Sequence, residues 1–193
     1  MYNADNTFVA AAVDTTDGSK KKLSFGKNPG ATLVYHDHEI TLEQSMFSYR
    51  AGGEHLSITI SGYALPREYR EVFGAAILAA HEAGISFKDI EQSLSGQFTM
   101  PKGRATLLSG IRNAVIIDSS YNASKSSVMA FLDLVRHLRQ KTGRPVVFAF
   151  GDMRELGEEA AIEHQSVAEH ILGVADYLYC VGPLTKKYIL PVA

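Results

Sequence analysis

Apolar and polar positions along this chain follow two rhythms. From Met1 to about Tyr63 the signal is strand and turn. The turn cluster Thr15-Thr16-Asp17-Gly18-Ser19 and the run Lys20-Lys21-Lys22 lead into Leu23-Ser24-Phe25-Gly26, and a second breaker, Asn28-Pro29-Gly30, precedes Ala31-Thr32-Leu33-Val34-Tyr35. Ser45–Arg50, the turn Ala51-Gly52-Gly53 and the alternating Leu56-Ser57-Ile58-Thr59-Ile60 complete a set of short strands joined by tight turns, as in an antiparallel or mixed sheet. After Pro66 the period lengthens. Tyr69, Val72, Phe73, Ala76, Ile77 and Ala80 recur at helical spacing up to Gly84, and a shorter helix is expected over Phe87–Leu94.

The stretch from Ser95 to Gly103 breaks the regularity and is the expected boundary, dividing the chain into residues 1–101 and 102–193. Beyond it apolar runs and helical patterns alternate. Ala114–Ile117 reads as a buried strand ending in Asp118-Ser119-Ser120. A helix capped near Ser124 carries Val128, Phe131, Leu132, Val135 and Leu138 on one face and stops at Gly143. Pro145–Phe150 is the next strand, ending in Gly151-Asp152; a helix over about Ala160–Leu172 and the strand Tyr177–Val181 follow. Strand starts recur about every 30 residues, the length of a βαβ unit. The fold class expected is therefore α/β: a mixed sheet with helices, then a Rossmann-like parallel βαβαβ domain with both crossover helices on one face. The other face of that sheet would stay uncovered, and both halves look cut.

Composition adds little. The 193 residues are 46% hydrophobic and 21% charged, with formal net charge −2, an ordinary globular balance with no general pull toward nucleic acid or anionic lipid. No apolar run approaches the roughly 18 residues that would cross a bilayer, so no membrane insertion is expected. The N-terminal residues lack the basic and apolar regions of a signal peptide, and the single Cys180 cannot form an internal disulfide; both point to the cytoplasm.

Candidate chemistry collects at the carboxyl ends of the strands, where open parallel sheets bind ligands. Asp118, Ser119, Ser120, Tyr121 and Asn122 follow one strand and Asp152 the next. A carboxylate there can hold a magnesium–phosphate group, orient water or meet an amine, or it can simply shape the turn and cap the next helix. Arg104, at the boundary, offers a guanidinium that could reach a phosphate across a cleft, against the plainer reading of a solvated linker arginine. His36 and His38 share one face of a strand in this reading, but no third ligand at convincing spacing follows, and no metal site is assigned. Lys20–Lys22 is read as a solvated strand entry, Cys180 as core, and His164 as a surface residue or one supporting the site from behind. Neither Gly-x-x-x-x-Gly-Lys-[Ser/Thr] nor Gly-x-Gly-x-x-Gly occurs.

Three pieces carry a family resemblance: Gly103-Arg104; Val115-Ile116-Ile117-Asp118-Ser119-Ser120-Tyr121-Asn122-Ala123-Ser124; and Gly151-Asp152-Met153-Arg154-Glu155-Leu156-Gly157-Glu158-Glu159 with His164. Together they resemble the Mur ligases. The Gly-Asp-Met-x-Glu-Leu-Gly run is similar to the branch that adds D-alanyl-D-alanine to a UDP-N-acetylmuramoyl tripeptide, and argues against folate polyglutamylating or cyanophycin-type relatives. Asn3-Ala4-Asp5-Asn6 and the helix before Ile85 extend the likeness over almost the whole chain.

The resemblance implies three domains in the family, of which this chain would hold the end of the central ATPase domain and most of the C-terminal one. It implies peptidoglycan synthesis, a role in cell-wall biogenesis and cell shape, and ATP and Mg2+ as cofactors. The substrates implied are a UDP-N-acetylmuramoyl-peptide and an amino acid or dipeptide, joined through an acyl phosphate. Residue by residue, Arg104 matches an arginine on the ATP phosphates and Asp118 the acidic residue after the first strand. Asn3 and Asp5 match a nucleotide-side motif, and Tyr121, Asn122 and Asp152 fall on the substrate side. The family's phosphate loop and its central-domain Glu, His and carbamylated Lys are not in these residues, so no ligase activity is expected of this chain alone. Tyr69 and Val72 stand where the family has an Asn pair, Ser119 replaces a second acidic residue, and Lys125 a proline, which marks a divergent branch. The alternative is a non-catalytic binding or interaction module built on the same fold.

Overall fold

A computed structural model describes residues 1–16 and 18–192. Asp17, in the predicted turn cluster, and the terminal Ala193 lie outside the described residues. The chain divides into two compact units, Met1–Thr99 and the part from Met100 onward.

The first unit is a five-stranded mixed sheet in sequential order: β1 (Tyr2–Asn3), β2 (Ser24–Gly26), β3 (Leu33–Ile40), β4 (Gln44–Ala51) and β5 (Glu54–Ser61). β1, β2 and β3 run parallel, and β3, β4 and β5 form an antiparallel meander. Alternation in β4 and β5 buries Phe47, Tyr49, Leu56, Ile58 and Ile60 on one face, where α2 (Tyr69–Glu82) adds Phe73, Ile77 and Leu78 and α3 (Phe87–Gln97) adds Phe87 and Ile90. Gly74 lets α2 approach closely, because a Cβ there would stand 3.1 Å from Tyr35 Cε1 and 3.3 Å from Phe25 Cδ2. The outer edge of β5 is covered by side chains of α3: Glu91 accepts the Ser57 amide at 2.7 Å and Ser95 Oγ the Thr59 amide at 3.1 Å. Unpaired edge amides would otherwise template pairing with another chain.

One element here departs from the expected strand-and-turn pattern. Thr7–Asp14 is a helix, α1, capped by Asn6, whose side chain accepts the Val9 amide at 3.1 Å. Its sequence lacks a polar stripe and none of its residues is buried, so no amphipathic period announced it. Lys22, read as a solvated strand entry, instead donates to Val13 O at 2.7 Å at the carbonyl end of α1, and Lys21 pairs with Glu82 at 2.7 Å.

In the second unit β7 (Val115–Asp118), α4 (Lys125–Thr142), β8 (Val147–Gly151), α5 (Ala160–Leu172) and β9 (Tyr177–Val181) alternate as expected. Ser124 and Ser127 form a reciprocal capping box at the start of α4, and Gly143 closes it at φ 66°. β8 and β9 pair in parallel across α5. Val128 and Leu132 of α4 and Val167, Ala168 and Ile171 of α5 join one core with Phe150, against which Phe148, Leu178 and Cys180 pack. Both helices therefore cover the same face, while Val147, Tyr177, Tyr179 and Val181 stand exposed on the other.

Two details differ from the sequence pattern. Thr106–Ser109 is a strand, β6, that pairs antiparallel with β7, and among the described residues β7 shares no ladder with β8. Four residues next to Gly110 were too short a run to stand out. Pro183–Tyr188 forms a last helix, α6, and Ile189 reaches the core.

Candidate functional site

The predicted site residues of the second unit fall into two places. The first is where the chain enters β6 and leaves β7. Cross-strand register sets Thr106 opposite Asp118, which brings the segment before β6 beside the segment after β7. Gly103 is buried at φ 76°, and Ala105, also buried, has φ 57°. These two left-handed residues turn the chain tightly around Arg104. Gly103 O accepts the Tyr121 amide at 3.1 Å, and a Cβ on Gly103 would lie 3.0 Å from that nitrogen. The outcome is that the exposed Arg104 guanidinium stacks 4.1 Å over the Tyr121 ring. Asp118 Oδ1 accepts the Ser120 amide at 3.1 Å and so shapes the same loop, and Asn122 Oδ1 accepts the Ala123 amide at 2.9 Å. Arg104, Asp118, Tyr121 and Asn122 thus share one loop pair.

Arg104 makes no ion pair with a carboxylate among the described residues. A guanidinium oriented by an aromatic face, with its N–H groups uncommitted, is suited to a phosphate or carboxylate. No group of three or more His, Cys, Asp or Glu converges among the described residues, so Asp118 would bring one donor to a magnesium ion whose other ligands lie elsewhere.

Asp152 belongs to the second place. Its Oδ1 accepts the Thr185 amide at 2.8 Å and its Oδ2 the Leu184 amide at 3.2 Å, at the start of α6. Burial alone would raise this carboxyl, but those two amides and the Thr185 hydroxyl outweigh it and hold Asp152 below its ordinary value. The carboxylate packs on Gly182, at φ 116°, where any Cβ would collide with it. Gly182 is a partner of Asp152 that no sequence motif marks.

His164 is not at the surface. It is fully buried, accepts the buried Met153 amide on Nε2 at 3.1 Å, and makes a 2.7 Å bond from Nδ1 to Ala160 O. Because Nε2 accepts, Nδ1 carries the proton. The Gly151–Gly157 run is therefore organised by packing: Met153 fills the core, Asp152 holds α6, and Glu155 and Gly157 turn the chain at positive φ. Cys180 is partly buried against the core, and burial raises its thiol, which suits packing rather than attack.

In the first unit, Asn3 Oδ1 accepts the Asp5 amide at 2.9 Å, and Asp5 accepts the Lys27 amide with both oxygens at 2.9 and 3.0 Å. Gly26 makes room for that carboxylate, since a Cβ there would lie 2.7 Å from Asp5 Oδ1. The two residues sit together at the carboxyl end of β1. His36 and His38, expected on one face, are separated by a β-bulge between Tyr35 and Asp37. His38 turns inward to Leu65 O at 3.1 Å and packs on Phe47, whereas His36 is exposed.

Comparison with known proteins finds a family match in the second unit. Residues 103–189, which contain both places, match the family model described as Mur ligase, glutamate ligase domain. Over those residues the chain is similar to the Mur ligases. A UDP-N-acetylmuramoyl-tripeptide–D-alanyl-D-alanine ligase of Haemophilus influenzae is 27% identical over 146 residues, covering 76% of this chain and 30% of that protein. The enzyme of the same name from Synechocystis is 30% identical over 120 residues, covering 60% of this chain and 25% of its own length. The fold is shared with a MurF crystal structure from Acinetobacter baumannii at TM-score 0.77 and 20% identity, covering 95% of this chain and 38% of that one. A Thermotoga maritima MurF ligase in complex with ADP superposes at TM-score 0.66 and 21% identity, covering 86% and 37%. The chain spans about a third or less of the length of the curated Mur ligases it matches.

Proposed function

We propose that this chain is part of an ATP-dependent ligase of peptidoglycan synthesis, one that joins an amino acid or dipeptide, D-alanyl-D-alanine in the first instance, to a UDP-N-acetylmuramoyl-peptide. The observation that carries the reading is the Arg104 loop: a guanidinium stacked on Tyr121, in no ion pair among the described residues, on the loop pair that also carries Asp118. In the proposed reaction the precursor carboxylate attacks the γ-phosphorus of ATP, releasing ADP and leaving an acyl phosphate. The incoming amine attacks the acyl carbon, loses a proton, and expels inorganic phosphate. Arg104 contacts the phosphate oxygens as negative charge shifts among them, which stabilises the transition state more than the bound substrate. Asp118 offers the oxygen not used by Ser120, and Tyr121 and Asn122 face the substrate side. Asn3 and Asp5 are assigned to the nucleotide within their own unit. Mg2+, held mainly by other residues, would neutralise phosphate charge. Asp152 acts at a remove, by fixing α6.

The test uses ATP, UDP-N-acetylmuramoyl tripeptide and D-alanyl-D-alanine with the chain expressed together with its in-frame upstream sequence, following release of ADP and phosphate. Arg104→Ala is expected to lower turnover by about 10²- to 10³-fold with an unchanged melting temperature, and Arg104→Lys to recover only part. Wild-type turnover in Arg104→Ala would remove Arg104 from the reaction. The 193 residues alone, which contain no Gly-Lys-Thr loop, are expected to give no ligation. An upstream stop codon and ribosome-binding site, in place of an in-frame Gly-Lys-Thr or Gly-Lys-Ser loop, would favour the non-catalytic module.

A further inference from the structure

The seven histidines divide by what their rings do. His38, His81, His164 and His170 each bond a backbone carbonyl or amide through a ring nitrogen. His36, His55 and His137 have no hydrogen-bond partner among the described residues. Two of these three converge. His36 on β3 and His55 on β5 have ring centroids 6.3 Å apart and planes inclined at 62°.

That proximity is not what strand spacing alone would give. β4 lies between the two strands, so their backbones stand roughly 10 Å apart, at about 4.8 Å per strand. The rings therefore lean toward each other over β4. Two features of the sequence allow it. His36 alternates with the buried Leu33 and Tyr35 and so stands on the outward face that His55 shares, and Ser48, the cross-strand partner of Asp37, carries only a short side chain on that face. Both histidines are exposed, so the gap between the rings is open to solvent.

We propose that His36 and His55 form a two-imidazole site for a borderline divalent transition-metal ion, of the class of zinc, nickel or copper(II). Imidazole nitrogen is a preferred ligand for these ions. A metal–nitrogen bond of about 2.0–2.1 Å places the centroids of two tetrahedral imidazole ligands roughly 5 Å apart, so the pair closes by roughly 1 Å through side-chain rotation. Four ring nitrogens are uncommitted, which leaves each residue free to present either one. Water completes the coordination, since no third His, Cys, Asp or Glu converges with them. Arg50, the register partner of His55, disfavours magnesium and calcium, which bind chiefly through charge and oxygen. The site is independent of the Arg104 loop and of the ligase reading.

The test is titration of the tag-free chain with zinc and nickel by calorimetry, and with copper(II) by electron paramagnetic resonance to count coordinated nitrogens. One ion per chain and a two-nitrogen copper spectrum are expected. His36→Asn and His55→Asn should each weaken binding roughly tenfold or more, because each removes the chelate, whereas His137→Asn should leave it unchanged. All three positions are exposed, and circular dichroism verifies that the variants fold. Binding no tighter than that of the double variant, or single variants that bind as the parent does, would overturn the site.

Discussion

At the scale of single residues, the second unit commits two of its polar side chains to structure. Asp152 and His164 sit in the run that carries the Mur ligase likeness, and both satisfy backbone amides. Asp152 titrates below its ordinary value in the fold, so it contributes stability that is present above the unfolded carboxylate pKa of about 3.9 and is lost as pH falls toward the folded value. The parent chain should therefore lose more stability than Asp152→Asn on acidification below about pH 4, read from denaturation midpoints between pH 7 and pH 3. His164→Leu removes the acceptor of the buried Met153 amide and the donor to Ala160 O. Leaving buried polar groups unpaired costs about 1–3 kcal/mol each, so a lowered urea midpoint with unchanged slope is expected. Neither effect was readable from the sequence, where a polar residue after a strand looks the same whether it meets a ligand or a helix start.

At the scale of elements, the most legible ones were those whose local chemistry and periodicity agree. α4 combines a Ser124 cap, an apolar stripe and a left-handed Gly143, and the structure places it where those signals did. Ser124→Ala removes the oxygen that accepts the Ser127 amide, with an expected loss of about 1 kcal/mol, measurable as a lowered melting temperature of the second unit. The elements that were missed lack one of those signals. α1 is apolar all round, β6 is four residues long, and α6 depends on Asp152, 31 positions before its first residue, to receive its first amides. The bulge in β3 was equally invisible, because a one-residue irregularity inverts which side chains share a face without changing composition. It also turns His38 inward, away from the outward face on which His36 meets His55.

At the scale of the molecule, each unit builds its own core, and the second is covered on one face only. Phe150 is 5% exposed beneath α4 and α5, whereas Tyr179, on the neighbouring strand, is 62% exposed. Phe150→Ala should cost about 3–5 kcal/mol, and Tyr179→Lys should stay within about 0.5 kcal/mol, as compared by thermal unfolding of the same chain. Equal losses would mean that the outer face of β8 and β9 is packed.

The sequence by itself determined the α/β class, the change of rhythm near residue 100, the β8–α5–β9 crossover and the Mur ligase likeness, because periodicity, caps and glycine positions act within a few residues of the chain. Only the tertiary structure decided which polar residues are free. Register between β6 and β7 set Arg104 over Tyr121 beside Asp118; the start of α6 claimed Asp152; and the space over Ser48 let His36 meet His55. Those outcomes depend on contacts between residues distant in sequence, and a side chain's chemistry is set by the partner it finds there.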